Sequence, residues 1–154
     1  GRNGFLGAIL DRMGIHLPFT TMAVIFAQTF VSAPLFIRAA RLGFANIQPE
    51  LIEAAYTDGV TEIFLFWHIM LPLASRAMLN GMILSWSRAF GEFGATVIFA
   101  GNLQGFTQTM PLAIFQGFEV NLGTALAISL LLILISAAVI FSLRKVENGT
   151  HLSS

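Results

Sequence analysis

Cysteine is absent from the 154 residues, which excludes disulfides and thiolate metal sites at the outset. Histidine is almost as rare: His16, His68 and His151 lie far apart with no ligand spacing, so no metal site is expected. Charge is scarce too. Only 10% of residues are charged, where soluble domains carry about 25%, so water is a poor solvent for most of this surface. The net charge is zero, which gives no reason to expect nucleic acid as a partner. The chain opens on Gly1 with no leader pattern after it, and it reads as a piece of something longer.

What is present is apolar: 56% of residues are hydrophobic and the mean hydropathy is +0.79. A bilayer core asks for about 20 apolar residues at 1.5 Å each, and three stretches meet that length. Residues 19–37 carry no charge and follow Pro18, which suits a helix start. Residues 120–143 carry none either and are rich in Leu, Ile and Ala. Between them, residues 77–87 and 93–100 are apolar but Arg88 and Glu92 interrupt. The fold expected is an all-α membrane protein, one transmembrane domain over 1–154, with spans at about 19–40, 74–100 and 120–143.

Lys and Arg outside the spans set the orientation. Arg38, Arg41 and Arg76 flank the first connection, and Arg144 and Lys145 follow the third span. The segment 101–119 has neither residue type, so it is expected outside, with the first connection and the C-terminus in the cytoplasm. Arg2 and Arg12 point weakly the other way. The Asn148-Gly149-Thr150 sequon then falls on the cytoplasmic side, where glycosylation is not expected.

The connection at 46–72 is punctuated like a pair of short helices. Pro49 suits a first helical position, Glu50 and Glu53 favour the positive end of a helix dipole, and Gly59 suits a left-handed stop. Thr61 can cap a second helix from Glu62 to about Met70, which Pro72 is expected to terminate. Leu51, Ile52, Phe64, Phe66 and Trp67 place bulky apolar groups on this elbow, and the small pair Ala54-Ala55 allows close approach. The pattern alone fits either a protein partner or an interfacial helix on lipid.

Glu53-Ala54-Ala55, then Gly59, then Ile69-Met70-Leu71-Pro72 resembles the EAA motif of importer-type ABC permeases. Ala27-Gln28-Thr29-Phe30, Ile37-Arg38-Ala39-Ala40, Gly91-Glu92-Phe93-Gly94-Ala95-Thr96 and 107–114 are similar to the molybdate/tungstate branch, with sulfate permeases close by. The resemblance implies that Glu53, Ala54, Ala55, Gly59, Ile69, Leu71 and Pro72 form a coupling helix that docks on a cytoplasmic ABC ATPase subunit. It further implies a pore formed as a homodimer, an extracytoplasmic oxyanion-binding protein, and residence in a prokaryotic plasma (inner) membrane. No cofactor is expected on this chain, and ATP-Mg belongs to the partner ATPase. The only lysine, Lys145, is not preceded by glycine, so no G-x-x-x-x-G-K-[ST] phosphate loop is available. Family members have further helices before the equivalent of Phe19, so the chain is expected to be N-terminally truncated.

Ala77, Gly81, Ser85 and Ala89 form a small-residue stripe of the kind used for close helix packing in lipid. In a regular helix Arg88 and Glu92 fall on or near that stripe, facing protein or a water-filled path. They are four residues apart and can form a salt bridge; alternatively Arg88 borders an anion path, or the pair acts in gating. Gly91, Gly94 and Gly101 make a bend plausible, and Thr107, Gln108 and Thr109 offer neutral donors at the outer end, or simply an ordinary loop.

The leading function is therefore the pore-forming subunit of an ATP-driven importer for molybdate or tungstate, with sulfate or thiosulfate as the alternative substrate. A truncated inactive permease, a purely structural membrane subunit and an intramembrane hydrolase are the competing classes. The last lacks histidine and aspartate within the spans.

Overall fold

The structure is a computed structural model that describes residues 18–149, with side chains described through 142. Arg2, Arg12, His16, Thr150 of the sequon and His151 lie outside the described residues, as do the side chains of Arg144 and Lys145. The elements are α1 (Thr21–Ala45), α2 (Pro49–Thr57), α3 (Glu62–Leu65), a π-helical turn (Phe66–Met70), α4 (Leu71–Phe90), α5 (Gly94–Ala100), α6 (Met110–Val120) and α7 (Leu122–Gly149). Among the described residues there is no strand.

Among the described residues three helices are long and apolar enough to cross a membrane: Thr21–Ala45, Glu62–Phe90 and Leu122–Ser142. The first and third agree with the apolar runs. The second differs at both ends from the expected 74–100. Pro72 does not end a helix, because α3, the π turn and α4 run on as one rod. Proline lacks an N–H and crowds the carbonyl four residues back. Here the turn widens just before it: the Leu71 N–H reaches back five residues to the Phe66 carbonyl, and Pro72 falls in the first turn of α4. The rod then stops ten residues early, at Gly91-Glu92-Phe93, and α5 begins anew. The segment 101–119 is not only a loop either. Thr109 precedes α6 in extended conformation and Pro111 occupies its first turn, which is where proline is tolerated.

Side chains small enough to admit a neighbouring backbone hold α1 against α4. A Cβ on Gly43 would lie 2.8 Å from the Ala77 Cβ and 3.2 Å from the Ala74 carbonyl oxygen, and one on Gly81 would collide with the Ala39 methyl. Farther along, the Ser85 hydroxyl donates to the Ser32 carbonyl at 3.0 Å. The pairs 43–77, 39–81 and 32–85 fix an antiparallel register, and the expected stripe is the face that makes it. α1 continues past the break onto α5, where Ala23 and Ala100 are fully buried with Val24. α6 and α7 form a second hairpin. Gly117 packs on Ala125, and Asn121 caps α7 by accepting the Thr124 N–H at 3.2 Å.

Candidate functional site

The elbow is built from a helix stop and a helix that does not stop. α2 starts at Pro49 after an extended Gln48, with Glu50 in its first turn. At its other end the Gly59 N–H bonds the Tyr56 carbonyl at 3.0 Å and the Val60 N–H bonds the Ala55 carbonyl at 3.1 Å. Gly59 has φ +77. This pair of bonds closes a Schellman motif, which calls for a left-handed residue at that position. Thr61 then stands at the N-cap of α3, but its side chain makes no capping bond.

The seven motif residues occupy two surfaces. Glu53, Ala54, Gly59 and Pro72 are exposed, Ala55 is buried, and Ile69 and Leu71 are half-buried. Ala55 therefore faces inward with Ile47 and Leu65, and Ala54 is the alanine left open. The Thr57 hydroxyl donates to the Glu53 carbonyl at 2.9 Å, within the same helix. On the same elbow Leu51, Tyr56, Ile63, Phe64 and Trp67 are exposed as well. Phe66 stacks on Phe44 at 5.9 Å, which ties the π turn to the end of α1, and Phe64 stacks on His68 at 4.1 Å. The elbow is thus anchored on one side and offers an apolar surface on the other.

At the far end of the rod, Arg88 Nη1 meets Glu92 Oε2 at 2.6 Å, while Glu92 Oε1 accepts the Ala95 N–H at 2.8 Å. One carboxylate thereby bridges the last turn of α4 and the first turn of α5. The side chain of Glu92 is 6% exposed and that of Arg88 46%. The sequence-based salt bridge is present, but a helix break separates Glu92 from the regular stripe.

Thr107, Gln108 and Thr109 do not act together. Thr107 is buried and its hydroxyl accepts the Leu103 N–H at 3.0 Å, which closes the turn before α6. Thr109 has a buried Oγ1 without a hydrogen-bond partner among the described residues. Gln108 Nε2 donates to Gln116 Oε1 at 2.5 Å, and Asn102 Nδ2 reaches the same oxygen at 3.4 Å. Gln104, Gln108, Gln116, Asn121 and Thr124 line a cleft of about 240 Å³ beside the α6–α7 hairpin. Gln116 escaped the sequence reading because an amide within the apolar run 110–120 carries no local pattern. Ser32 and Thr96 escaped it for a different reason: their burial follows only from the register of α1. Among the described residues no group of three or more His, Cys, Asp or Glu side chains is placed to hold a metal ion.

Comparison with known proteins gives the chain its relatives. The chain is 38% identical over 144 residues to the "Probable transport system permease protein NifC" of Clostridium pasteurianum, covering 94% of this chain and 50% of that protein. It is 37% identical over 140 residues to the molybdenum transport system permease protein ModB of Mycobacterium tuberculosis (91% of this chain, 53% of that protein). It is also 33% identical over 147 residues to the sulfate transport system permease protein CysT of Salmonella typhimurium (95% and 53%). The chain thus spans about half the length of these curated relatives. Residues 7–151 match the family described as "Binding-protein-dependent transport system inner membrane component". With that match over nearly its whole length, the chain belongs to this family, the membrane permeases of ABC importers.

Proposed function

We propose that this chain is part of the pore-forming subunit of an importer for tetrahedral oxyanions, molybdate or tungstate first, driven by ATP hydrolysis on a separate cytoplasmic subunit. The observation that carries the reading is the elbow: α2 exposes Glu53 and Ala54, the same elbow exposes bulky apolar side chains, and the Gly59 stop joins α2 to the helix that runs through the π turn into the second candidate span. A docking groove on the ATPase is the occupant that suits it. ATP-Mg sits on that partner, and no cofactor is assigned to this chain. The elbow and the C-terminal end face the cytoplasm of a prokaryotic cell, a second permease copy completes the pore, and an extracytoplasmic binding protein delivers the anion. Relatives named for molybdenum support the substrate, and the relative named for sulfate supports sulfate as the alternative.

In this reading ATP binding draws the two ATPases together, the elbows move with them, and the spans alternate between inward-open and outward-open arrangements. The decisive test uses a single cysteine at Ala54 in the full-length protein, other cysteines removed, co-expressed with the cognate ATPase. A site-specific crosslink to the ATPase is expected from Ala54 and none from a control at Phe106, which is also exposed. Equal crosslinking at both positions, or none at Ala54 in a well-assembled complex, overturns the coupling role. Gly59→Val provides a second check. A Cβ there meets nothing within 4 Å, so the direct cost of the substitution comes chiefly from its left-handed backbone, at about 1–2 kcal/mol. The expected outcome is ATP hydrolysis without uptake.

A further inference from the structure

A belt of polar groups crosses the helices near the α4–α5 break, and the coupling role makes no use of it. Ser85 meets Ser32 across the α1–α4 interface, Thr96 is fully buried on α5 with its hydroxyl unpaired among the described residues, and Arg88 and Glu92 lie between. Ser32 is close to the middle of the 25-residue α1. Arg88 follows Ser85 by three residues, about 5 Å along the helix at 1.5 Å per residue, which is well inside a hydrocarbon core about 30 Å thick.

The two charged residues are unequally engaged. Both oxygens of Glu92 are occupied, one by Arg88 and one by the Ala95 N–H, and the side chain is covered. Arg88 gives one nitrogen to Glu92, its only side-chain partner among the described residues, and nearly half of its side chain remains open. A guanidinium at this depth does not turn an open edge to lipid; it faces protein or a water-filled path. Its remaining N–H groups form a planar fork that matches two oxygens of a tetrahedral oxyanion. Glu92 is held in place by the α5 backbone, so it stays beside Arg88 and offsets part of its charge.

Resting on the transport reading above, we propose that Arg88 contacts the passing oxyanion dianion through this open edge. Glu92 is its positioning residue: it orients the guanidinium and weakens its hold enough for release. A lone arginine at this depth, with no carboxylate to offset it, would hold a dianion too tightly to release it. The paired arginine recognises and lets go.

The test measures direct binding of molybdate, tungstate and sulfate to the purified full-length permease–ATPase complex, alongside uptake in proteoliposomes. R88Q is expected to weaken binding by about tenfold or more, and R88K, which keeps charge but loses the fork, by about threefold. E92Q keeps an oxygen for the Ala95 N–H but removes the neutralising charge. It is expected to tighten binding by about threefold or more while slowing turnover. A purely structural bridge predicts instead that R88Q and E92Q shift binding in the same direction or leave it unchanged, and either result in an assembled complex overturns the assignment. Where R88Q fails to assemble, R88K and E92Q decide by the same criterion of opposite signs. Wild-type complexes that neither bind nor move any of the three anions overturn the oxyanion reading itself. Wild-type uptake with unaltered binding in R88Q overturns the Arg88 assignment alone.

Discussion

The α1–α4 pair and the α6–α7 pair are both antiparallel helix pairs, yet they are held together differently. In the first, glycines and alanines repeat along the contact from Gly43 and Ala77 through Ala39 and Gly81, and the serines at 32 and 85 add a hydrogen bond. In the second, Gly117 on Ala125 makes a single close approach near the turn, and beyond it α7 runs with Leu130, Leu131, Ile133, Leu134 and Phe141 exposed. Lipid is as apolar as leucine and supplies no hydrophobic drive between helices, so close packing of small residues has to supply the attraction. α1–α4 has that along its length. α7 has it at one point and keeps the rest of its surface for lipid or other protein.

The largest expected effect tests the first pair. Gly81→Leu should destabilise the full-length protein in detergent by about 3 kcal/mol or abolish its assembly, because the side chain has no room against Ala39 and the Phe36 backbone. Ala138→Leu on the exposed face of α7 should stay within about 0.5 kcal/mol. Similar losses at the two positions would mean that α7 is packed as tightly in the whole assembly as α1 is here. Gly117→Leu should cost about 1–2 kcal/mol, since one turn of the hairpin can yield where a long interface cannot. A loss as large as that of Gly81→Leu would erase the distinction.

Smaller effects sharpen it. Ser85→Ala removes an interhelical hydrogen bond and should lower thermal stability by about 0.6 kcal/mol. Thr96→Val replaces an unpaired buried hydroxyl by a methyl and should raise stability by a few tenths, about 0.3 kcal/mol. Destabilisation by Thr96→Val would show that the hydroxyl has a partner beyond the described residues.

The parts of the fold that were legible in the sequence are those governed by simple exclusion. Uncharged runs marked α1 and α7, and the four-residue repeat of small side chains marked the face of α4 that meets α1. The elbow was legible because Pro49 and Gly59 each have a specific backbone reason to be where they are. Pro72 misled for the opposite reason. Its usual helix-ending effect is absorbed by a π turn whose sequence, Phe66-Trp67-His68-Ile69-Met70, gives no warning. The break at residues 91–93 was visible only as a glycine-rich possibility, because a run of apolar residues on both sides reads the same whether the helix is whole or cut. The cleft of amides was the least legible part, since Gln108 and Gln116 come together only once the α6 hairpin has formed.

The π turn that hides Pro72 also settles a question of mechanics. It replaces the stop expected at Pro72 with unbroken helix, and a π turn next to a proline is where a helix bends most readily. From Glu62 to Phe90 the chain is one continuous helical run, about 42 Å long at 1.5 Å per residue. A swing of the elbow would therefore be taken up partly at that bend and passed on as tilt of α4. The next place where the backbone can yield is the three-residue gap after Phe90. Under the proposed coupling, the part of an elbow displacement that α4 carries would arrive at the Arg88–Glu92 bridge.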